Sequence, residues 1–262
     1  MIKKDFFPGI ILFMLMLSAL AFAQPPTEAR LSSEKDAQSL LSAFMSYTDL
    51  RIGSIQRSLE ILASTAEGES GNWQSMKGLL SGYQKSERGL IVWYVRPDGT
   101  YYTVDKGLIS EKLSDRSYFP DLMVGTKVTG ALVVSKSTGQ RSAVIAVPIK
   151  KDGKVVGAIG VSLFLDQLSD QVGSALNLRA DTSFFAMAPN GQTALHRKTD
   201  RHFVDPRDLG SETLKKAANE MLSGISGEVR YEFDSATKNT IYRTSPLTQW
   251  KFALTFSAAA QQ

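Results

Sequence analysis

The stretch of this chain best suited to bind a small molecule is Leu113–Pro120, which reads Leu-Ser-Asp-Arg-Ser-Tyr-Phe-Pro. It places Arg116 beside two aromatic residues, Tyr118 and Phe119. An arginine is always charged and presents a rigid fork of hydrogen-bond donors, so it matches the geometry of a carboxylate. The stretch therefore predicts a site for a small anionic ligand.

Motifs of the common catalytic classes are missing from the sequence. It contains no Gly-x-Ser-x-Gly elbow, no His-Glu-x-x-His and no Gly-x-x-x-x-Gly-Lys loop. The two histidines, His196 and His202, lie in a polar segment, which is typical of solvent-exposed side chains rather than of a metal site. Cysteine is absent, which excludes disulfides and thiolate ligands. We expect no catalytic residue, no metal and no other cofactor.

The composition is that of an ordinary globular protein. Of the 262 residues, 43% are hydrophobic and 21% are charged, enough for one large domain or two modest ones. The net charge of +4 is small, and no cluster of Lys and Arg with interleaved aromatic residues occurs. We therefore expect no nucleic-acid partner.

The first 23 residues have the pattern of a secretory signal peptide. Lys3 and Lys4 precede an uncharged apolar run, Ile10–Phe22, and Ala21-Phe22-Ala23 matches the small-x-small cleavage pattern. The run is shorter than the roughly 20 residues that span a bilayer. We predict cleavage after Ala23 and a periplasmic or secreted protein. If the segment is not cleaved, it would anchor the protein in the inner membrane.

A long amphipathic helix is predicted next. Its apolar stripe recurs at alternating spacings of four and three: Leu41, Met45, Thr48, Ile52, Ile55, Leu59, Leu62 and Ala66. Ser32 or Ser33 could cap its start, and Gly68 is expected to end it. The stripe could lie along its own domain or pair with a second copy in a homodimer. A shorter helix is expected over Trp73–Tyr83.

From Leu90 onward the pattern changes to strands. Leu90–Val95 and Thr100–Val104 flank Pro97-Asp98-Gly99, which predicts a hairpin. Ala143–Ile149 and Val155–Leu165 predict a second strand pair. The intervening segment shows little periodicity and contains the arginine stretch, so we expect it to be a functional loop or lid.

The plan then recurs, which predicts a second module. An apolar run, Ser183–Ala188, leads into Pro189-Asn190-Gly191, and Pro189 follows Pro97 by 92 residues. Helices are expected over Asp166–Leu176, between the copies, and over Ser211–Leu222. The late strands of the second copy are expected at Gly227–Phe233, Thr240–Tyr242 and Trp250–Phe256.

The order of these motifs resembles the double Cache family, the PAS-like extracellular sensor domains of bacterial chemoreceptors and histidine kinases. The resemblance rests on the long helix, the Pro-Asp-Gly turn, Ser114–Phe119, Ser137–Gln140 and the strand Gly153–Val161. It implies an α+β fold in which a long N-terminal helix precedes two PAS-like antiparallel-sheet modules. The implied boundaries are a signal peptide (1–23), a linker with the two helices (24–85), a membrane-distal ligand-binding module (86–168), a second module (169–257) and a tail (258–262).

The resemblance also implies roles for the arginine stretch. Arg116 and Tyr118 match the family's Asp-x-Arg-x-aromatic-aromatic element, whose arginine clasps a ligand carboxylate, and Phe119 takes the second aromatic place. Trp93 and Tyr101 in the first hairpin are further candidate ligand contacts, although such residues commonly pack in a core.

The chain departs from the family at the places that hold a ligand's ammonium group. Amino-acid-binding members have acidic residues there, whereas this chain has Ser135 and Ser162. A serine accepts a hydrogen bond but supplies no negative charge. The departure favours a small carboxylate or hydroxy acid over an α-amino acid. Asp105 or Asp166 could supply the charge under a shifted alignment.

We therefore predict a periplasmic sensor that binds a small anionic metabolite and relays its presence to a membrane chemoreceptor or histidine kinase. The alternative is a structural or interaction module that assembles through the long helix and has a vestigial pocket. In that case Arg116 would pair with Asp115 or Asp121 on the surface.

Overall fold

Two antiparallel sheets and a long helix make up the protein. The computed structural model describes residues 26–178 and 182–257, so the predicted signal peptide and tail lie outside the described residues. The compact unit begins at Asp36. The helices are α1 (Pro26–Ala63), α2 (Ala66–Glu69), α3 (Trp73–Ser86), α4 (Phe119–Met123), α5 (Leu165–Leu176) and α6 (Glu212–Ser223). Among the described residues, no helix has both the length and the apolar character needed to cross a bilayer.

The strands form one six-stranded and one five-stranded sheet, which confirms the predicted α+β class. The first sheet has the order β3-β2-β1-β6-β5-β4 and the second β8-β7-β11-β10-β9. The strands of the first sheet are β1 (Leu90–Val95), β2 (Thr100–Thr103), β3 (Gly107–Lys112), β4 (Val128–Val134), β5 (Arg141–Lys151) and β6 (Lys154–Phe164). Those of the second are β7 (Thr182–Met187), β8 (Thr193–His196), β9 (Ser226–Phe233), β10 (Ala236–Thr244) and β11 (Lys251–Ser257).

The segment between the first two strand pairs is more ordered than the sequence predicts. It contains β3, α4 and β4, and the two strands are the opposite edges of the six-stranded sheet. The arginine stretch is therefore a short connection from β3 to α4 rather than one long irregular loop.

The apolar stripe of α1 packs within its own domain. Leu41, Ile52, Ile55 and Leu59 are almost completely buried in the main core, and Phe44 joins them. This core lies between α1, α3 and α5 and one face of each sheet. The stripe is therefore not available for a dimer seam.

Both predicted ends of α1 differ from the structure. The helix begins at Pro26, where a proline is tolerated because the first N–H groups of a helix have no internal partner. It ends at Ala63, before Gly68, which lies in α2. A Cβ on Gly68 would fall 2.3 Å from the carbonyl oxygen of Leu62. Gly68 thus permits close packing of α2 on the end of α1 instead of ending the helix itself.

Each sheet has a second buried face, turned away from this main core. In the first sheet that face packs against α4 and the arginine stretch, with Trp93, Tyr101, Tyr118 and Leu122 in its cluster. In the second sheet the corresponding face is covered by α6. Each of these two faces carries a pocket.

Candidate functional site

A small pocket lies on the first sheet, on the face opposite the main core. Six of the seven predicted site residues line it: Trp93, Tyr101, Arg116, Tyr118, Ser135 and Ser162. The empty space within its walls, including its open mouth, is about 280 Å³. Its enclosed part has room for about one water molecule, so a metabolite would have to displace side chains.

Trp93 and Gly160 shape the floor of the pocket. The two residues are paired across β1 and β6. A Cβ at Gly160 would fall 2.4 Å from Cζ2 of Trp93, so only glycine leaves room for the indole ring at this position. Ser162 lies two residues farther along β6 on the same face, because side chains alternate along a strand.

Arg116 is held at the edge of the pocket with part of its guanidinium unsatisfied. Its Nη2 donates a 2.7 Å hydrogen bond to the carbonyl of Val134. Its Nε is buried and has no hydrogen-bond partner among the described residues. The neighbouring Asp115 instead forms an ion pair with Lys136 at 2.7 Å. Arg116 thus differs from a surface arginine paired with the adjacent aspartate.

A tyrosine hydroxyl beside Arg116 is unsatisfied as well. Tyr101 is 3% exposed, and its hydroxyl has no hydrogen-bond partner of normal geometry in the part of the chain described here, although Ser137 is nearby. Burial raises the pKa of Tyr101 to about 12. Burial also raises the pKa of Tyr118, whereas Arg116 acts in the opposite direction. Both phenols are therefore neutral donors at physiological pH.

The two predicted serines, Ser135 and Ser162, both line the pocket wall. Ser135 follows β4 and its hydroxyl is 3.2 Å from that of Ser137. Ser162 is 7% exposed. Neither Asp105 nor Asp166 lines the pocket, because Asp105 accepts a hydrogen bond from Gln84 and Asp166 contacts His202.

Some pocket residues differ from the predicted set. Phe119 does not line the pocket, because it begins α4 and packs in the cluster beneath it. Four further residues do line it: Leu113, Val133, Lys136 and Ser137. No acidic side chain is among the lining residues, whereas Arg116 and Lys136 are both cationic.

The prediction of solvent-exposed histidines is wrong for His202. This residue is 1% exposed, and its Nδ1 lies 2.7 Å from the carboxylate of Asp166. Its Nε2 lies 2.9 Å from the hydroxyl of Ser169. His202 therefore ties α5 to the turn after β8. No cluster of three or more potential metal ligands occurs within residues 26–178 and 182–257.

Solved structures that are similar to this chain include extracellular sensory domains. The extracellular domain of rpHK1S-Z16, a protein assigned as a histidine kinase, aligns with a TM-score of 0.73 and 17% identity over 88% of this chain and 97% of its own. The corresponding domain of mmHK1S-Z2 gives 0.68 and 19% over 87% and 97%. The sensory domain of the Campylobacter jejuni chemoreceptor Tlp3, solved with isoleucine bound, gives 0.67 and 15% over 88% and 95%.

The sequence matches no family model and no curated protein sequence. At these identities the structural likeness concerns the fold. The chain has the fold of the extracellular sensory domains of chemoreceptors and histidine kinases, as its resemblance to the double Cache family predicted.

Proposed function

We propose that this protein is an extracytoplasmic sensor whose first module binds a small carboxylate in the Arg116 pocket. One observation carries the proposal: among the residues that the structure describes, two buried polar groups of the pocket have no hydrogen-bond partner of normal geometry, the Nε of Arg116 and the hydroxyl of Tyr101. An unsatisfied buried donor costs about 1–3 kcal/mol, so a ligand oxygen that accepts from both would recover this cost. Both groups donate, which matches an anionic acceptor.

The charge of the wall favours a carboxylate over an amino acid. Its cations are Arg116 and Lys136, and no lining side chain is acidic. Lys136 is already paired with Asp115, so Arg116 supplies the uncompensated charge. The ammonium of an amino acid would meet only the hydroxyls of Ser135, Ser137 and Ser162, whereas a hydroxyl group could hydrogen-bond to them. A small hydroxy acid therefore fits better than the isoleucine seen in Tlp3.

The test is a calorimetric titration of the purified protein with acetate, lactate, lactamide, isoleucine and valine. Acetate and lactate should bind, lactamide should not, and isoleucine and valine should bind more weakly than lactate. Arg116→Ala should weaken binding about tenfold or more, because a charge-assisted hydrogen bond is worth roughly 1.5–3 kcal/mol. Arg116→Lys should restore only part of the affinity, since lysine lacks the planar fork. Arg230→Ala, an exposed arginine on β9, is the matched control and should bind like the wild type.

The result that contradicts the carboxylate proposal is tight binding of isoleucine or valine with none of lactate. If no compound binds and Arg116→Ala leaves every property unchanged, the pocket is vestigial and the protein is a structural or interaction module.

The second part of the proposal is that the protein passes its ligand state to a membrane chemoreceptor or histidine kinase. Closure of the pocket around a ligand would favour one arrangement of the first sheet against α1.

A homodimer through α1 would have to use the outer face of the helix, where Tyr47, Leu50 and Ile61 are exposed. Sedimentation of Leu50→Glu with Ile61→Glu against the wild type tests that interface, and equal masses would contradict it.

A further inference from the structure

The second sheet carries a larger pocket than the first. Its empty space, including the open mouth, is about 1490 Å³, compared with about 280 Å³ for the Arg116 pocket. It lies on the face that α6 covers in part, close to the start of that helix at Leu214. Its size lies above the usual range for ligand pockets, roughly 300–1,000 Å³, because the open mouth is included.

This pocket occupies the repeat-related position in the second module. Strand β7 (Thr182–Met187) lies 92 residues after β1 (Leu90–Val95). The two strands have equivalent neighbours: β1 lies between β2 and β6 in the first sheet, and β7 lies between β8 and β11 in the second. Trp93 in the first module therefore corresponds to Phe185 in the second. Each of these aromatic side chains lines the pocket of its own module.

Strand register extends the correspondence to the neighbouring strands. Ser162 pairs with Ile91 in the first sheet, and Thr255 pairs with the equivalent Ser183 in the second. Both hydroxyl residues, Ser162 and Thr255, line their pockets.

The same register relates the other hairpin partners. Tyr101 pairs with Val95, and Thr193 pairs with the equivalent Met187. Tyr101 and Thr193 also line their respective pockets. Because cross-strand register fixes which face a side chain occupies, this agreement means that the two pockets are the same feature of a duplicated fold.

The two pockets differ in the ligand that their walls would accept. The wall of the second is rich in large apolar side chains: Phe185, Val204, Leu209, Leu214, Tyr231 and Phe233. The hydroxyl of Thr255, which lines this pocket, already has a hydrogen-bond partner, because its Oγ1 lies 2.8 Å from Oγ1 of Thr240. A ligand there can bury an apolar body of several carbon atoms.

The rim of this pocket is positively charged. Four cationic side chains line it, Arg197, Lys198, Arg201 and Lys238, against one carboxylate, Asp234. The guanidinium of Arg201 lies 5.8 Å from the ring centre of Phe233, so a cation adjoins the apolar wall directly. His196 also lines the pocket and adds no charge at neutral pH, because burial lowers its pKa to about 4.

We propose that the second module holds a ligand site of its own, for an amphipathic anion such as an aromatic or medium-chain carboxylate. Its apolar body would lie against Phe185, Tyr231 and Phe233, and its carboxylate would reach Arg201 and Lys198 at the mouth. The chain would then carry two sites that select ligands of different sizes. This inference is independent of what binds in the Arg116 pocket.

The experiment is a calorimetric titration of the purified protein with phenylacetate and octanoate, using phenylacetamide as the uncharged control. Both anions should bind with one site per chain, and the amide should bind more weakly. Arg201→Ala should weaken phenylacetate about tenfold, the effect of losing one charge-assisted contact. Lys198→Ala is the second variant: its side chain is exposed, so its loss should not affect folding, and it should also weaken binding.

Two controls separate this site from the first. Arg116→Ala and Arg230→Ala should leave phenylacetate binding unchanged, while Arg116→Ala alone weakens lactate. The proposal is overturned if neither anion binds at millimolar concentration, if phenylacetamide binds as well as phenylacetate, or if Arg116→Ala removes phenylacetate binding.

Discussion

The indole of Trp250, the residue before β11 in the second sheet, donates a 3.2 Å hydrogen bond to the carbonyl of Gly130 in β4 of the first sheet. Trp250 is completely buried. Gly130 has a φ of +86°, and a Cβ there would fall 3.1 Å from Cζ2 of the indole. The two modules are therefore joined at a position that requires glycine, both for its backbone conformation and for the close approach of the ring.

Gly130→Ala should therefore destabilise the protein by about 1–3 kcal/mol, from the positive φ and the tight contact. The free energy of unfolding in urea measures this. Gly78→Ala is the control, because Gly78 lies in α3 with no atom within 4 Å of an added Cβ. It should raise stability by up to about 1 kcal/mol, since alanine is the better helix former. Equal stability of the two variants would contradict the role assigned to Gly130.

The floor of the first pocket gives a second prediction. Gly160→Ala forces a methyl group against the Trp93 indole, which should displace the ring and cost about 1–3 kcal/mol through overpacking. Tryptophan fluorescence should change, and lactate affinity should fall. If fluorescence and affinity both match those of the wild type, Trp93 does not shape the pocket.

A third prediction concerns acid stability. Burial, followed by the charge of Arg201, lowers the pKa of His196 from its ordinary value of 6.5 to about 4. The unfolded chain therefore takes up this proton at a higher pH than the folded chain does. The resulting stabilisation is complete above pH 6.5 and is lost as the pH falls from there to about 4, by an amount on the order of 3 kcal/mol.

Burial also lowers the pKa of His202, so its effect has the same sign. Urea unfolding at several pH values measures the loss. His196→Gln should give a shallower fall in stability across this window. A fall as steep as that of the wild type would show that other groups are responsible.

In the first sheet, the sequence predicts the central strands better than the edge strands. β1 is recognisable because Leu90–Val95 is continuously apolar and is followed by a strong turn signal. β3 has only one buried side chain, Ile109, and so lacks the alternation that marks a half-buried strand. In β4 the alternation is broken by the irregular register around Gly130. Both edges are therefore defined by their pairing with neighbouring strands, which one sequence does not reveal.

The candidate site shows the same limit. Residue type and motif point to Arg116 and Tyr118, but Lys136 and Ser137 reach the pocket only because β4 returns along the sheet edge. Phe119 follows Tyr118 directly, yet the first turn of α4 directs it into the core, since successive helical residues point about 100° apart. His202 lies among polar residues in sequence, and its burial results from packing against α5.

The last prediction separates the fold from ligand binding at Tyr101. Its hydroxyl is buried and has no hydrogen-bond partner of normal geometry among the described residues, although Ser137 is nearby, so Tyr101→Phe removes no well-formed hydrogen bond from the unliganded protein. The free energy of unfolding should be unchanged or higher, because an unsatisfied polar group costs stability. Lactate affinity, in contrast, should fall roughly tenfold if the hydroxyl donates to the bound carboxylate.

Tyr83→Phe is the matched control. The Tyr83 hydroxyl is also buried and has no hydrogen-bond partner of normal geometry in the described part of the chain, although Ser58 is nearby. Tyr83 lies on α3 and packs against the main core, away from the pocket. Its removal should leave both stability and lactate affinity at or above the wild-type values. Calorimetric titration measures the lactate affinity of the two variants, and urea unfolding measures their free energies of unfolding. If Tyr101→Phe binds lactate as tightly as Tyr83→Phe does, the Tyr101 hydroxyl does not contact the ligand, and the proposed carboxylate site would rest on Arg116 alone.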